Sequence, residues 1–226
     1  MKKRYERNMG ALSEEENLRL PGLKACVVGC GGLGGYVVEH LGRLGVGHIT
    51  VVDGDVFEES NLNRQLLSDE TVLSAGKAEQ AKIRLSKVNS DVKVHVIDEF
   101  LTEENCERIL AGHDVVIDAL DNVPTRFIIE RGAGKLNIPL IHGAIAGWYG
   151  QVCVIMPGAP VFGKIYRDAG QKGIENELGN LPFTAAVAAS IEAAEAVKVM
   201  LGKEGSVSGR FLTFDLLHSE FEIFEI

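Results

Sequence analysis

A glycine-rich turn is the sharpest chemical signal in the sequence. Residues 29–34 read Gly-Cys-Gly-Gly-Leu-Gly and stand between an apolar run and a helical pattern. In this G-x-G-x-x-G arrangement, Gly29, Gly31, Gly32 and Gly34 permit a tight turn and a close approach of phosphate to the backbone. Asp53 ends the next apolar run, where an acidic side chain usually accepts hydrogen bonds from a ribose. The pattern predicts a nucleotide site without specifying the nucleotide or the reaction.

Three further segments fit a triphosphate better than a nicotinamide dinucleotide. Residues 61–65 read Asn-Leu-Asn-Arg-Gln, and the fixed donors of a guanidinium suit phosphate oxygens. Lys77 begins a predicted helix, where a cation opposes the helix dipole unless an anion shares the site. Asp118 and Asp121 end a predicted strand, and two carboxylates beside a phosphate pocket suggest hydrated Mg²⁺. Taken singly, each segment also has a structural explanation: a solvated loop arginine, an exposed helix lysine and an N-cap aspartate.

Composition and charge limit the classes of function. The chain has 226 residues, 46% of them hydrophobic, and a formal net charge of −9, which argues against broad nucleic-acid binding. The four cysteines show no C-x-x-C spacing, so we expect a reducing cytoplasm. The basic N-terminus lacks a following apolar stretch and no apolar run reaches 18 residues, so we expect neither a signal peptide nor a membrane span.

The elements that must position these residues alternate between strand and helix patterns. Strands are predicted at Ala25–Val28, Ile49–Val52, Lys93–Ile97, Val115–Asp118 and Leu140–Ile141, and helices at Leu33–Leu44, Lys77–Val88, Glu103–Leu110 and from Pro124 to about Leu136. Such alternation indicates βαβ units. We therefore predict an α/β fold with a Rossmann-like, doubly wound, mainly parallel sheet.

The pattern changes after Gly150. A strand at Gln151–Met156 is followed by the Gly- and Pro-punctuated segment Pro157–Pro182, which we predict to be a long loop. An Ala-rich helix at Thr184–Leu201 and two strand-like runs at Arg210–Leu216 and Glu220–Glu225 complete the chain. These runs predict a C-terminal antiparallel extension of the sheet.

Taken together, these segments resemble the ThiF/MoeB/HesA adenylyltransferases, bacterial relatives of ubiquitin-activating enzymes. The matching stretches are residues 4–8 (Arg-Tyr-Glu-Arg-Asn), 29–34, 53–55 (Asp-Gly-Asp), 60–65, 76–78, 118–122 and 150–152. The likeness runs from residue 4 to about residue 224. Residues 61–65 combined with Asp121-Asn122 are specific to this superfamily.

The resemblance implies ATP-dependent adenylylation of the C-terminal Gly-Gly carboxylate of a small ubiquitin-like sulfur carrier (ThiS/MoaD-like), with release of pyrophosphate. By the same resemblance the reaction would depend on Arg7, Arg64, Lys77 and Asp121. Nucleotide binding would involve Gly29, Gly31, Gly32, Gly34, Asp53, Asp55, Asn61, Arg64, Gln65, Lys77, Asp121 and Asn122. Asp121 would position Mg²⁺ through ATP. Arg7, in a charged arm with little to pack against its own sheet, would reach the ATP of the other subunit of a homodimer.

The resemblance also implies a single adenylation domain over residues 1–226. It would consist of an N-terminal arm (1–22), a nucleotide-binding half (23–150) and a carrier-docking half (151–226) that includes the 157–182 loop. Many such proteins hold a structural Zn²⁺ with two C-x-x-C pairs. Here Val161–Lys164 occupies the place of the first pair and no cysteine follows Cys153, so we expect no zinc site.

Several alternatives stay open at the level of the sequence. They are an ATP-dependent enzyme that modifies a tRNA base, a non-catalytic nucleotide-binding partner, and a dehydrogenase. Cys26 and Cys153 are expected in the core, and Cys30 is expected to pack within the glycine turn. Among the six histidines, His142 alone follows a strand near the predicted site. The sequence specifies neither the carrier nor the product, whether thiamin, molybdopterin or another sulfur-containing compound.

Overall fold

Eight strands form one sheet in the computed structural model, which describes residues 2–166 and 175–225. The strands are β1 (Lys24–Val28), β2 (His48–Val52), β3 (Lys93–Ile97), β4 (Val115–Asp118), β5 (Leu140–Ala146), β6 (Tyr149–Ile155), β7 (Arg210–Asp215) and β8 (Glu220–Glu225). Their order is β3-β2-β1-β4-β5-β6-β7-β8. β1 to β5 pair in parallel, and β6 to β8 add antiparallel pairs. The predicted fold class is confirmed.

The helices cover both faces of this sheet. They are α1 (Glu14–Arg19), α2 (Gly34–Leu44), α3 (Lys77–Val88), α4 (Cys106–Leu110), α5 (Val123–Lys135), α6 (Phe162–Ile165), α7 (Glu175–Leu178) and α8 (Pro182–Leu201). Short 3-10 turns occur at Lys3–Asn8, Leu20–Gly22 and Glu59–Asn61. One core lies between the sheet and α2, α3 and α8, and a second lies between the sheet, α4, α5 and α6. Within the described ranges, no helix combines the length and apolarity that a bilayer crossing needs.

The sequence prediction differs from the structure in the length of β5, in the 157–182 segment, and in the start of α4, which is Cys106 and not Glu103. β5 continues to Ala146 because its second half pairs antiparallel with β6, down to Ala146 opposite Tyr149. The predicted loop 157–182 contains α6 and α7, and its last residue, Pro182, begins α8. A proline is tolerated in the first turn of a helix, where its missing N–H has no partner to lose. Residues 167–174 of that predicted loop lie outside the described residues.

The N-terminal arm (residues 1–22) contacts the ends of two helices of the same chain. The Tyr5 hydroxyl accepts a hydrogen bond of 2.8 Å from the amide of Asn89, just after α3. The Asn8 amide donates to the carbonyl of Leu44 at 3.1 Å, at the end of α2. Polar groups at the ends of α2 and α3 therefore hold the N-terminal arm in place. The charge pattern of the arm did not predict these contacts.

Two glycines on α5 have opposite surroundings. Gly132 faces α4, and a Cβ added there would lie 2.4 Å from the Cys106 sulfur and 3.4 Å from Leu110 Cδ1. A Cβ added at Gly134, two residues further on, would meet no atom within 4 Å. Close packing of α4 on α5 therefore requires Gly132, and it places no such requirement on Gly134.

These surroundings predict opposite effects of the same substitution on stability. Gly132→Ala should lower the free energy of unfolding by about 1–3 kcal/mol, because the added methyl overpacks the α4–α5 contact. Gly134→Ala should raise it by about 0.5–1 kcal/mol, because alanine favours a helix interior. Urea unfolding of both variants beside the unsubstituted protein measures the difference. Equal stabilisation by both substitutions would contradict the packing argument.

Candidate active site

A cavity of about 510 Å³ opens at the carboxyl ends of the central strands. The loops after β1, β2, β3 and β4 line it, together with the second half of β5 and Asn180 ahead of α8. The sheet order places β2 on one side of β1 and β4 on the other, so the chain direction across the sheet reverses here. Open α/β sheets bind ligands at such a reversal.

Most of the predicted site residues meet in this cavity. It is lined by Gly29, Gly31, Gly32, Asp53, Asp55, Arg64, Gln65, Lys77, Asp121 and Asn122. Gly34, Asn61 and Arg7 do not line it. The structure thus brings together predicted residues from three connections, those after β1, β2 and β4, that are up to 93 positions apart in the sequence, counted from Gly29 to Asn122.

The glycine turn combines two requirements, close packing and exposed donors. Gly29 has φ +96°, and a Cβ there would lie 2.5 Å from the Ala119 carbonyl oxygen. A Cβ at Gly34 would lie 1.8 Å from the Gly29 oxygen, so Gly34 serves the fold of the turn. Gly31 and Gly32 face the cavity, and their N–H groups have no acceptor among the residues the structure describes. Unpaired N–H groups ahead of a helix form a ready anion site.

Asp53 is held rigidly at the end of β2. One carboxylate oxygen accepts the N–H of Cys30 at 2.7 Å, and the other accepts the N–H of Asp55 at 2.9 Å. Burial raises the pKa of the Asp53 carboxyl, although both backbone bonds oppose the shift. Cys30 itself is fully buried and does not line the cavity. The pair of backbone bonds fixes the orientation in which Asp53 meets a ligand.

Lys77 already has an anionic partner in the cavity. Its ammonium nitrogen lies 2.5 Å from an Asp55 carboxylate oxygen, and the lysine is 7% exposed. Burial alone would raise the pKa of Asp55, but the Lys77 ammonium and the Val56 N–H together lower it. Asp55 therefore supplies the anion that a lysine at the start of α3 requires. A bound phosphate would compete with Asp55 for this ammonium.

The 61–65 segment divides between scaffold and ligand-facing roles. Asn61 is buried, its side-chain oxygen accepts the Glu58 N–H at 3.1 Å, and its carbonyl accepts the Arg64 N–H. It therefore builds the turn that carries Arg64, and the part of Asn61 in nucleotide binding stays a prediction. The Arg64 guanidinium donates to Ser60 and Asn63 through one nitrogen and lines the cavity.

Asp121 and Asn122, in the loop after β4, have different roles. The Asn122 side-chain oxygen accepts the Thr125 N–H at 3.0 Å and caps α5. The capping role considered for Asp121 is thus taken by its neighbour. Asp121 is exposed, and among the described residues its carboxylate has one weak partner, the Asn122 amide at 3.4 Å. It is the least engaged carboxylate of the predicted set.

Three residues that the sequence argument missed also line the cavity: Arg126, Phe100 and Asn180. Arg126 lies four residues after the cap of α5, on the same helix face, so helical periodicity could have found it. Phe100 follows β3 as Asp53 follows β2, and the rule that loops at carboxyl ends line the site could have found it. No sequence pattern identifies Asn180 as a site residue, because its position depends on a hydrogen bond from the distant Asn63.

A carboxyl group without partners lies behind the cavity wall. Glu192 on α8 is fully buried, and neither of its oxygens has a hydrogen-bond partner within the described part of the chain. It presses on Gly143, where an added Cβ would lie 2.4 Å from the Glu192 carboxyl carbon. Burial raises the pKa of Glu192 well above its ordinary value; the nearby charge of Asp118 adds to the shift and Arg126 opposes it. Burial therefore favours the protonated, uncharged form of Glu192.

This raised pKa predicts a specific pH dependence of stability. The folded protein keeps the Glu192 proton at pH values where the unfolded chain has lost it. The free energy of unfolding therefore falls as pH rises above about 4, by up to about 1.4 kcal/mol per unit, until the folded pKa is reached. Glu192→Gln removes this linkage, so chemical unfolding between pH 4 and pH 8 should show the variant gaining stability relative to the parent protein.

Glu195 on the same helix provides the matched control. It is buried but paired, with the Lys198 ammonium and with the Val207 N–H at 3.1 Å. Glu195→Gln weakens that pair and should cost about 1–3 kcal/mol at pH 7. If the free energies of unfolding of Glu192→Gln and the parent protein change in parallel with pH, the raised pKa of Glu192 is contradicted.

Comparison with known proteins identifies the family of this chain. The ThiF family matches residues 5–226. The SAMP-activating enzyme E1 of Haloferax volcanii is 35% identical, with 97% of this chain and 83% of that protein covered. The sulfur carrier protein adenylyltransferase of Thermus thermophilus is 37% identical, with 96% and 84% covered.

A solved structure adds the fold. Escherichia coli MccB with ATP covers 100% of this chain and 71% of its own, with a TM-score of 0.83 and 22% identity. At that identity the likeness concerns the architecture of the sheet and its helices. The family match over nearly the whole length and the two relatives agree: this chain belongs to the ThiF family.

Proposed function

We propose that this protein adenylylates the C-terminal carboxylate of a small ubiquitin-like sulfur carrier that ends in Gly-Gly, using ATP and releasing pyrophosphate. The observation that carries the proposal is one cavity that combines Asp53, the backbone donors of Gly31 and Gly32, three cationic side chains and the exposed Asp121. The names of the two relatives, an E1 that activates SAMP and a sulfur carrier protein adenylyltransferase, support the reaction. The MccB structure with ATP supports the nucleotide.

The residues present fit an ATP molecule in one orientation. Asp53 would accept hydrogen bonds from the ribose. The N–H groups of Gly31 and Gly32 and the guanidinium of Arg64 would bind phosphate oxygens. Lys77 would exchange Asp55 for a phosphate oxygen, since both anions compete for the same ammonium. These donors neutralise charge on the phosphates, which is where the reaction develops it.

The residues also fit a metal carried by the nucleotide. Within residues 2–166 and 175–225, no three His, Cys, Asp or Glu side chains cluster as metal ligands. Mg²⁺ is commonly held by one or two carboxylates together with substrate phosphates and waters, so Asp121 suffices as the protein ligand. When bound, Mg²⁺ would offset the charge of the phosphates.

The reaction needs no protein nucleophile. A carboxylate oxygen of the carrier attacks the α-phosphorus of ATP, the bond from that phosphorus to the bridging oxygen breaks, and pyrophosphate leaves. The product is an acyl-adenylate, and no proton has to move. The state of the cysteines agrees with this, because all four are buried and burial raises the pKa of each thiol.

Arg7 fits a role in the partner subunit of a homodimer. The arm that carries it is attached at Leu44, at the far end of α2 from the cavity. The 11 residues of α2 span about 16 Å, so Arg7 lies at the other end of the fold from its own site. Arg7 is exposed and makes no hydrogen bond or ion pair among the described residues. A C₂ dimer would place two such arms symmetrically.

Replacing Asp121 tests the reaction. Asp121→Asn should lower ATP–pyrophosphate exchange, measured with a panel of purified Gly-Gly carriers, by roughly 10²–10³-fold, because the ligand that positions Mg²⁺ is lost. Asp114→Asn is the control, since Asp114 precedes the opposite end of the same strand, where it accepts the Lys24 N–H. Near-normal exchange by a folded Asp121→Asn protein, with a carrier that the parent protein activates, would contradict the assignment.

Mixing two inactive variants tests the shared site. Arg7→Ala and Asp121→Asn should each be nearly inactive alone. After subunit exchange, about half of the dimers are mixed, and each mixed dimer has one site with both lesions and one with neither. Exchange activity should therefore recover to about a quarter of that of the parent protein. Full activity of Arg7→Ala alone, or no recovery after proven subunit exchange, would remove the role in the partner subunit.

A further inference from the structure

The turn that presents Asp121 rests on a buried carboxylate. Asp118, the last residue of β4, is 0% exposed, and its Oδ1 accepts the N–H of Leu120 at 3.0 Å. That bond folds residues 118–121 back onto the strand. The direction in which Asp121 leaves the turn therefore depends on where the Asp118 carboxylate is held.

His142 holds that carboxylate from β5. Its Nδ1 lies 2.8 Å from Asp118 Oδ2, and the imidazole is 0% exposed. Nε2 faces the Gln151 amide nitrogen at 3.4 Å, so the amide donates to Nε2 while Nδ1–H donates to Asp118. The ring of Phe162 packs edge-on against the imidazole, with centroids 4.8 Å apart. Burial lowers the pKa of His142 even though Asp118 opposes the shift, which agrees with a neutral ring.

Arg126 holds the same turn from α5. One terminal nitrogen donates to the carbonyl oxygen of Leu120 at 2.6 Å, and that carbonyl belongs to the peptide bond that joins Leu120 to Asp121. The guanidinium Nε also lies 3.7 Å from Asp118 Oδ2. Arg126 therefore donates to the Leu120 carbonyl and, through its other terminal nitrogen, to the Tyr166 hydroxyl at 2.7 Å. Its Nε lies only within ion-pair distance of Asp118 Oδ2, the oxygen that His142 already occupies as a hydrogen-bond donor.

We propose that His142 is a positioning residue for Asp121: by donating to Asp118 it leaves Arg126 on the Leu120 carbonyl, and so fixes the peptide that aims Asp121 into the cavity. The proposal rests on the proposed function, in which Asp121 receives the metal of Mg²⁺·ATP. The sequence indicated that His142 lies near the site but suggested no role for it. The buried contact with Asp118 supplies that role.

Replacing His142 should affect the metal more than the nucleotide. In His142→Leu the Asp118 carboxylate loses its neutral donor, Arg126 moves toward it, and the Leu120–Asp121 peptide is released. The Mg²⁺ concentration for half-maximal ATP–pyrophosphate exchange should rise about tenfold, and kcat should fall about 10–100-fold. Binding of ATP in EDTA should change less than about twofold, because Asp53, Arg64 and Lys77 are untouched.

A second readout needs no catalysis. Hydrogen–deuterium exchange at the Leu120 amide should become about tenfold faster or more in His142→Leu, since the N–H loses a fixed acceptor. His142→Asn, whose amide nitrogen can donate as Nδ1 does, should restore both the Mg²⁺ response and the protection. His113→Leu is the matched control: His113, ahead of the opposite end of β4, contacts Thr50 and Leu110. Its loss should lower stability and leave the Mg²⁺ response unchanged.

These outcomes separate the inference from the proposed function. If the parent protein shows no exchange with any Gly-Gly carrier, the function fails, and the Leu120 protection still judges the role of His142. If His142→Leu does not fold, Asp118→Asn, an isosteric change, should raise the Mg²⁺ requirement in the same way. Unchanged Mg²⁺ dependence together with unchanged Leu120 protection, in folded His142→Leu or Asp118→Asn, would overturn the proposal.

Discussion

The whole site depends on how closely the loop after β1 approaches the loop after β4. Gly29 touches Ala119 so tightly that a single added carbon would lie 2.5 Å from a backbone oxygen. Parallel pairing of β1 with β4 brings the two loops to one edge, and the missing side chain lets them meet there. Because of that contact, the unpaired donors of Gly31 and Gly32 face the same cavity as Asp121. A residue of any other type at position 29 would separate the anion site from the carboxylate that complements it.

Charge around the cavity is balanced before any ligand arrives. Lys77 is neutralised by Asp55, and Asp118 is shared between His142 and Arg126. Buried charges are costly unless paired, so these pairs keep the protein stable while the cavity is open. They also set which groups can respond to a nucleotide. Lys77 can exchange one anion for another at little cost, whereas Asp118 is committed on both oxygens and can only position its neighbours.

The sequence predicted the parts of the site that depend on local geometry. The glycine turn, Asp53, and Lys77 at the start of α3 all follow from spacing relative to a strand or a helix end. The turn contacts of Asn61 were not predicted, because the spacing of the segment does not reveal which of its residues face inward. The Asp118–His142 contact and the place of Asn180 could not be predicted, since each joins segments 24 and 117 residues apart, counted to Asn63 for the second. The mainly parallel sheet and its antiparallel C-terminal extension were predicted, and the length of β5 was not, because it is set by its partner β6.

The two halves of the chain are joined more closely than the change of pattern after residue 150 suggests. Residue 150 falls within β6, whose pairing with β5 extends the wall of the cavity through Gly143 and Ile145. From the second half, α8 packs Glu192 against Gly143, and Asn180 accepts a hydrogen bond from Asn63 in the first. The sheet changes from parallel to antiparallel pairing at β5. The strands of the second half therefore continue directly from those that carry the cavity. The two halves therefore share walls of the cavity through these contacts.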